Sequence, residues 1–396
     1  MISRTAKTGS PSFRFWMLIG VVIVAGLSQG LLLPLLTILL EQRGVAPDQN
    51  GLNAAALYIG IFATMFFVEK PVRRYGYKPV ITVGIIVVTI AVMLFPLWDH
   101  LIFWFVLRLI VGIGDSALHY ATQLWIVSGS SPERRGRNIS IYGMAYGTGF
   151  SLGPFGINLL GLGIWAPFVI VSMFFVIILL LFQQVGNEVP EKEEKREQTS
   201  AGRYSKALRI AWFALLPSFI YGYMESSLNS NFPIYGLRTG LTDTAISVLL
   251  PVLGFGGLLL QLPLGIWSDR IGRKPVLMIA GLTGAFAFLL VPFAGTHVWL
   301  IGVLFLVAGG MVGSFFSMGL AYAADILPRP LLPAANVIAT IHYSIGSIIG
   351  PGIGGICLRY LPLSSMFVFL GGVYMLFALS GIRFNRVSND RTYNAP

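Results

Sequence analysis

The sequence predicts an all-α membrane protein: twelve transmembrane helices in two six-helix bundles related by a parallel repeat, with both termini in the cytoplasm. Three observations predict it. The 396 residues are 55% hydrophobic and only 11% charged, with a mean hydropathy of +0.77, where a soluble domain carries about 25% charged residues. The apolar residues come in runs of about 20, the length that crosses a hydrocarbon core of roughly 30 Å as a helix. The cations are sorted. With the N-terminus inside, 23 of the 27 Lys and Arg fall on the cytoplasmic side, and Arg43, Arg238 and Arg359 on the other. That split is the positive-inside bias. The net charge of +11 is therefore topology, not a nucleic-acid surface. The partner it implies is the lipid bilayer, and the chain reads as a multi-pass protein of the plasma membrane.

The twelve runs cover about 15–40, 52–68, 79–97, 101–126, 138–160, 163–183, 209–236, 244–267, 275–294, 298–323, 334–358 and 364–383. They read as helices because lipid offers backbone groups no outside partner, and they lack the alternation of barrel strands. The first run is too long for a signal-peptide core and has no obvious small-residue cleavage site, so it reads as the first span. Cys357 is the only cysteine, so no intrachain disulfide is expected. Residues 184–207 break the apolar pattern. Within them EVPEKEEKRE holds eight charges of mixed sign in ten residues, a solvated linker. It divides the chain into an N-terminal six-helix bundle, 1–183, and a C-terminal one, 208–396.

The halves repeat. YGYKPV at 75–80 matches IGRKPV at 271–276, 196 residues on, and GFSLGPFG at 149–156 matches GSIIGPGI at 346–353, 197 residues on. Two unrelated features at nearly one offset indicate internal duplication. Each falls at the same point in its half. With six runs per half, the second half enters the membrane in the same orientation as the first. Transport sites in such repeats lie near the midplane, between the halves.

On these motifs the chain resembles the major facilitator superfamily, over essentially its whole length. GIWSDRIGRK at 265–274 is similar to that family's loop motif between helices eight and nine, and RLIVGIG at 108–114 to its fourth-helix motif. GTGFSLGPFG at 147–156 resembles the fifth-helix Gly-Pro motif of its proton-coupled drug antiporters with twelve spanning helices. The resemblance implies a monomeric secondary transporter with a gating loop at Asp269, Arg270, Gly272, Arg273 and Lys274, repeated in the first half around Arg73 and Gly76. Two readings of this loop stand. In one, Asp269 latches onto a neighbouring helix end in one state and releases it in the other. In the other, Gly272 allows a tight turn and the cations meet anionic headgroups. The first-half copy departs from the pattern: Glu69 stands where the second copy has Gly265, and Arg73 where it has Asp269. In the family the first copy often carries the glycine and the acid, so its network is expected to be rearranged here.

Gly149, Gly153 and Pro154 in the fifth run, with Gly350 and Pro351 in the eleventh, predict bends and close helix contacts. Glycine lets helices approach and proline removes a backbone donor. Their alternative reading is ordinary close packing without a coupling role.

The fourth run carries the chemistry. At 100° per residue Arg108, Gly112, Asp115, His119 and Gln123 fall within an arc of about 80°, a polar stripe on an apolar rod. At membrane depth such residues face a wet cavity or a polar partner. Adding 197 to 108 and 115 gives Phe305 and Val312. The partner helix does without these charges, so the fold itself does not require them. The seventh run places Tyr221, Glu225 and Asn229 on one face at spacings of four. Asp115 and Glu225 are the candidate proton-coupling acids, with His119 a candidate relay; Arg108, Gln123, Tyr221 and Asn229 are candidate cavity residues. A buried carboxylate without a firm partner takes up protons near neutral pH. The alternative is a static ion pair, Arg108 with Glu225 or with Asp115. Trp16, Trp98, Trp104 and Trp299 lie near run ends and read as interfacial anchors. Tyr120, Tyr142, Tyr146, Tyr221, Tyr223 and Tyr343 are candidates to line a cavity.

The leading function is therefore alternating-access secondary transport: proton-coupled efflux of small amphiphilic or drug-like molecules, with protons and a small-molecule substrate as partners. The alternative is export or flipping of a lipid-linked or sugar-type metabolite. The sequence contains no P-loop or HExxH motif, and no cofactor, metal or catalytic residue is expected. GIGD at 112–115 has the form of an intramembrane aspartyl protease motif, but that chemistry needs two carboxylates sharing a proton. The remaining aspartates, at 48, 99, 243, 269, 325 and 390, all fall in loops or at run ends.

Overall fold

The computed structural model describes residues 11–190 and 201–384, and among these it contains helix and no strand. The first half holds α1 (Pro11–Gln42), α2 (Pro47–Thr64), α3 (Glu69–Tyr75), α4 (Tyr77–Leu94), α5 (Leu101–Ser128), α6 (Pro132–Leu152) and α7 (Ala166–Phe182). The second holds α8 (Ala201–Thr239), α9 (Asp243–Ile271), α10 (Arg273–Leu290), α11 (Val298–Val312), α12 (Phe315–Ile326), α13 (Leu332–Tyr360) and α14 (Ser365–Arg383). Every predicted run overlaps helix. By length and apolarity, nine described helical segments qualify to cross a membrane, ten if α2 and α3, bent by 54°, count as one. Two predicted runs fall short for visible reasons. Ala166–Phe182 is apolar but only 17 residues long. α6 opens with Arg134, Arg135 and Arg137, and beyond Leu152 it gives way to a 3₁₀ segment, Gly153–Leu162. Arg4, Lys7, Lys192, Lys195, Arg196, Arg386 and Arg391, and linker residues 191–200, lie outside the described residues.

Two boundaries differ from expectation. α8 begins at Ala201, inside the segment read as linker, and absorbs the join through non-helical backbone at Ala211 (φ −120°, ψ 23°). Trp104 is no anchor. It is 1% exposed, its indole donates to the carbonyls of Phe95 and Trp98, and the Arg43 guanidinium lies 4.5 Å from its ring centre. Trp16, Trp98 and Trp299 are exposed.

The duplication is visible in the packing. α1 packs on α6 as α8 does on α13, and α2 on α5 as α9 does on α11. The same glycines make these contacts in both halves. A Cβ at Gly112 would stand 2.1 Å from the Leu57 carbonyl oxygen, and one at Gly309 1.9 Å from that of Leu253. A Cβ at Gly26 would meet the Tyr146 carbonyl at 2.6 Å, and one at Gly222 that of Tyr343 at 2.3 Å. Helices held backbone to backbone in this way tolerate no side chain. Gly309→Val is therefore expected to lower thermal stability in detergent by at least about 1–3 kcal/mol. Gly143, with nothing within 4 Å, is the control, and Gly143→Ala should leave the melting temperature unchanged or raise it. Equal effects at the two sites would refute the packing argument.

Across the halves α2 packs on α13, α6 on α9, and α1 on α8. The contact is tightest at the cation-poor end. A Cβ at Gly51 would meet the Pro351 carbonyl oxygen at 2.2 Å, one at Gly355 that of Pro47 at 2.4 Å, and one at Gly254 the Ser151 Oγ at 2.2 Å. Polar pairs join the halves at the same end. Arg359 Nη1 donates to both carboxylate oxygens of Asp48 at 2.7 Å, and Arg238 Nε to Glu41 at 2.6 Å. Asn158 donates to Ser247 at 2.8 Å, and Gln42 to Asp243 at 3.3 Å. Toward the other end, Gly136 and Gly143 of α6 and Gly265 of α9 have nothing within 4 Å.

Candidate functional site

Between the halves lies a buried polar cluster. α2 and α5 touch through Gly60 and Gly112, which sets the stretch of α2 carrying Tyr58 against the stretch of α5 carrying Arg108. Arg108 is 2% exposed and Tyr58 1%. Asp115 follows Arg108 on α5, and α2 also meets α8, which carries Glu225.

Along α5 the stripe divides. Asp115 is buried, and His119 Nε2 lies 3.6 Å from its Oδ1. His119 Nδ1 is 2.8 Å from the Tyr142 hydroxyl, and its ring stands edge-on to Tyr146 at 5.1 Å. Tyr146 in turn donates to Gln29 of α1 at 2.6 Å. Gly112 faces the α2 backbone and belongs to packing. Gln123 is exposed.

On α8, Glu225 is buried and accepts from Tyr343 of α13 at 2.5 Å and from Tyr221 at 3.4 Å. The two rings stack at 6.1 Å. Asn229 donates its amide to the Glu225 backbone carbonyl at 2.8 Å, so that hydrogen bond stays within its own helix.

Neither anticipated ion pair forms. Among the described residues Arg108 has no ion-pair partner, and its Nε and Nη2 have no hydrogen-bond partner. The positions that repeat Arg108 and Asp115 are core. Phe305 and Val312 are fully buried, with Phe305 packed 4.8 Å from Phe232. The charges of α5 are thus an addition to one copy of a duplicated scaffold.

The loops behave unequally. Gly76 (φ 91°) and Gly272 (φ 97°) both adopt a backbone conformation that favours glycine. In the second copy Arg273 is the hub: it bonds Asp269 at 3.0 Å and Asp325, at the end of α12, at 2.6 Å. Asp269 therefore reaches the neighbouring helix through Arg273. Lys274 donates to the Phe384 carbonyl at 2.5 Å, and Arg270 is exposed. In the first copy Arg73 pairs with Glu69 at 2.6 Å. Among the described residues, an acid that reaches this corner from elsewhere is Glu188, in the segment read as linker. Its carboxylate accepts from Trp125 at 2.7 Å and pairs with Arg14, and its carbonyl accepts from the Tyr77 amide at 2.9 Å.

The two prolines also differ. Pro154 opens the 3₁₀ segment at Gly153, whereas Pro351 lies within continuous α13. Gly149 and Gly153 meet α1 backbone, and Gly350 meets α8.

Sequence reasoning missed Tyr58, Gln29 and Glu188. Tyr58 had a signal, being the one aromatic hydroxyl of its apolar run, 52–68. Glu188 had none, lying at the edge of a charge-dense segment.

The family model described as Major Facilitator Superfamily matches residues 18–257 and 214–393. An uncharacterized MFS-type transporter of Bacillus subtilis (strain 168), YfkF, is 40% identical over 362 residues, covering 90% of this chain and 92% of that protein. Multidrug resistance protein 2 of the same organism is 23% identical over 385 residues, covering 91% and 92%. Among solved structures, the nucleoside transporter NupG superposes with a TM-score of 0.77 at 13% identity, covering 93% of this chain and 98% of that one. A bacterial homolog of the human lysosomal transporter Spinster, in an inward-facing and unoccupied conformation, gives 0.64 at 16% identity, covering 96% of each. With a family match spanning almost the whole chain, a relative sharing two residues in five and a fold common to solved transporters, the chain belongs to the Major Facilitator Superfamily and is a multi-pass transport protein of the plasma membrane.

Proposed function

We propose that the chain is an alternating-access secondary transporter that exports small amphiphilic molecules in exchange for protons. In this reading twelve spans form two bundles, 1–183 and 208–396, joined by 184–207, with both termini cytoplasmic. The cation-poor end then faces outward and is closed. A single chain supplies the whole cluster, so a monomer suffices.

One observation carries the proton assignment. Asp115 and Glu225 are buried between the halves, and among the described residues neither has a Lys or Arg within ion-pair distance. Carboxylates at this depth favour the neutral form unless water or a cation reaches them. As the halves rock, each acid meets a different environment and exchanges its proton. His119, touching both Asp115 and Tyr142, connects the first acid to the tyrosine lining. The similarity to a multidrug resistance protein supports efflux of drug-like molecules.

The test uses proteoliposomes with an imposed proton gradient and a fluorescent amphiphile. Export should follow the gradient and stop when a protonophore collapses it. Transport indifferent to the protonophore would sink the exchange reading.

A further inference from the structure

We propose that Arg108 and Tyr58 form an oxyanion subsite, and that the cargo is an amphiphile bearing one oxyanion group, a carboxylate or a phosphate monoester. The inference rests on the transport reading and specifies its substrate.

The argument begins with charge. Arg108 is 2% exposed, and its Nε and Nη2 find no hydrogen-bond partner. A buried guanidinium without an anion is among the least favourable arrangements a protein can hold. The acids in the neighbourhood are otherwise engaged. Glu225 is held by Tyr343 and Tyr221, and Asp115 lies against His119. Across the α2–α5 contact, where Gly60 meets the Leu109 carbonyl and Gly112 that of Leu57, stands Tyr58, whose hydroxyl is also buried without a partner. Two nitrogens of a planar fork and one hydroxyl, carried on two touching helices, are thus unsatisfied donors. Gly60 and Gly112 fix the helices carrying them backbone to backbone. Guanidinium forks match carboxylate and phosphate oxygens. The half-buried rings of Tyr142, Tyr146, Tyr221 and Tyr343 offer an apolar, stackable wall for the rest of the molecule. The duplication removes the structural excuse for Arg108, since Phe305 at the repeated position builds the same scaffold without charge.

The test is equilibrium binding to purified protein in detergent, which needs no proton gradient. The probes share one naphthyl body and carry a carboxylate, a phosphate monoester, a carboxamide or a trimethylammonium group. A phosphatidylglycerol titration separates a lipid headgroup from a soluble oxyanion. Wild type should bind the carboxylate or the phosphate ester at least about 10-fold tighter than the carboxamide. Arg108→Gln should erase that preference, and Arg108→Lys should restore part of it. Tyr58→Phe should reduce it without abolishing it. A wild type that binds no oxyanion probe more tightly than the carboxamide overturns the proposal. So does a preference that survives Arg108→Gln. Since binding is read without a gradient, loss of proton coupling with the oxyanion preference intact would reject only the exchange reading.

Discussion

Glu225→Gln is expected to reduce gradient-driven transport to the level of protein-free liposomes while leaving downhill exchange of substrate intact. The glutamine keeps the shape and an oxygen for the Tyr343 and Tyr221 hydroxyls, which now lie 2.5 and 3.4 Å from the carboxylate. It cannot carry a proton. If Glu225 loads and releases the coupling proton, exchange of labelled for unlabelled substrate continues and accumulation against a gradient stops. Tyr343→Phe should be milder, because it removes the shorter hydrogen bond and leaves the acid. Asp115→Asn separates the two acids. A variant that loses accumulation and keeps exchange identifies its acid as the coupling group. Glu225→Gln and Asp115→Asn variants that both accumulate substrate like wild type would refute both assignments. Loss of accumulation and exchange together would mean instead that the side chain holds the helices or the substrate.

The fold was legible because lipid leaves few options. Apolar length, the sorting of the cations and the two offsets each derive from constraints that act locally in sequence. The α5 stripe was legible for the same reason, since its period is that of one helix. What faces the stripe was not. Tyr58, Gln29 and Tyr343 come from three other helices, and nothing in their own neighbourhoods marks them as neighbours of Arg108 or Glu225. Glu225 was matched to Arg108 by depth, which does not fix azimuth, and it turns to α13. Asp115 was matched to Arg108 by sharing a face, but seven residues separate them by roughly 10 Å of rise, and Asp115 lies instead against His119, one turn on. Glu188 was hidden by being one acid among many. Trp104 was misread because a position near a run end says nothing about which way a side chain faces.

The pairs joining the two halves were the least legible, since Asp48 and Arg359 are 311 residues apart, and they carry the second large prediction. Arg359 and Asp48 are 39% and 25% exposed, and Arg238 and Glu41 35% and 12%. Ion pairs this open to solvent contribute about 0–1 kcal/mol each. Weakness suits a contact that must break in every cycle, so Asp48→Asn alone should change transport modestly. A covalent link at the same point should not. With the buried Cys357 replaced by serine, Asp48→Cys and Arg359→Cys joined by a short disulfide-bearing cross-linker should abolish transport, and a reductant should restore it. Each single-cysteine variant treated with the same reagent is the control for added bulk. Full transport with the link in place would mean that the halves do not separate at this end, and that substrate passes by a route other than alternating access through the closed face. Abolition and recovery would tie the cycle to this interface. The glycines beneath it, Gly51 and Gly355, show why the face closes so tightly: each lacks a Cβ where a backbone carbonyl of the other half, at Pro351 and Pro47, comes against it, and a ~1 kcal/mol latch suffices to register a contact that packing has already shaped.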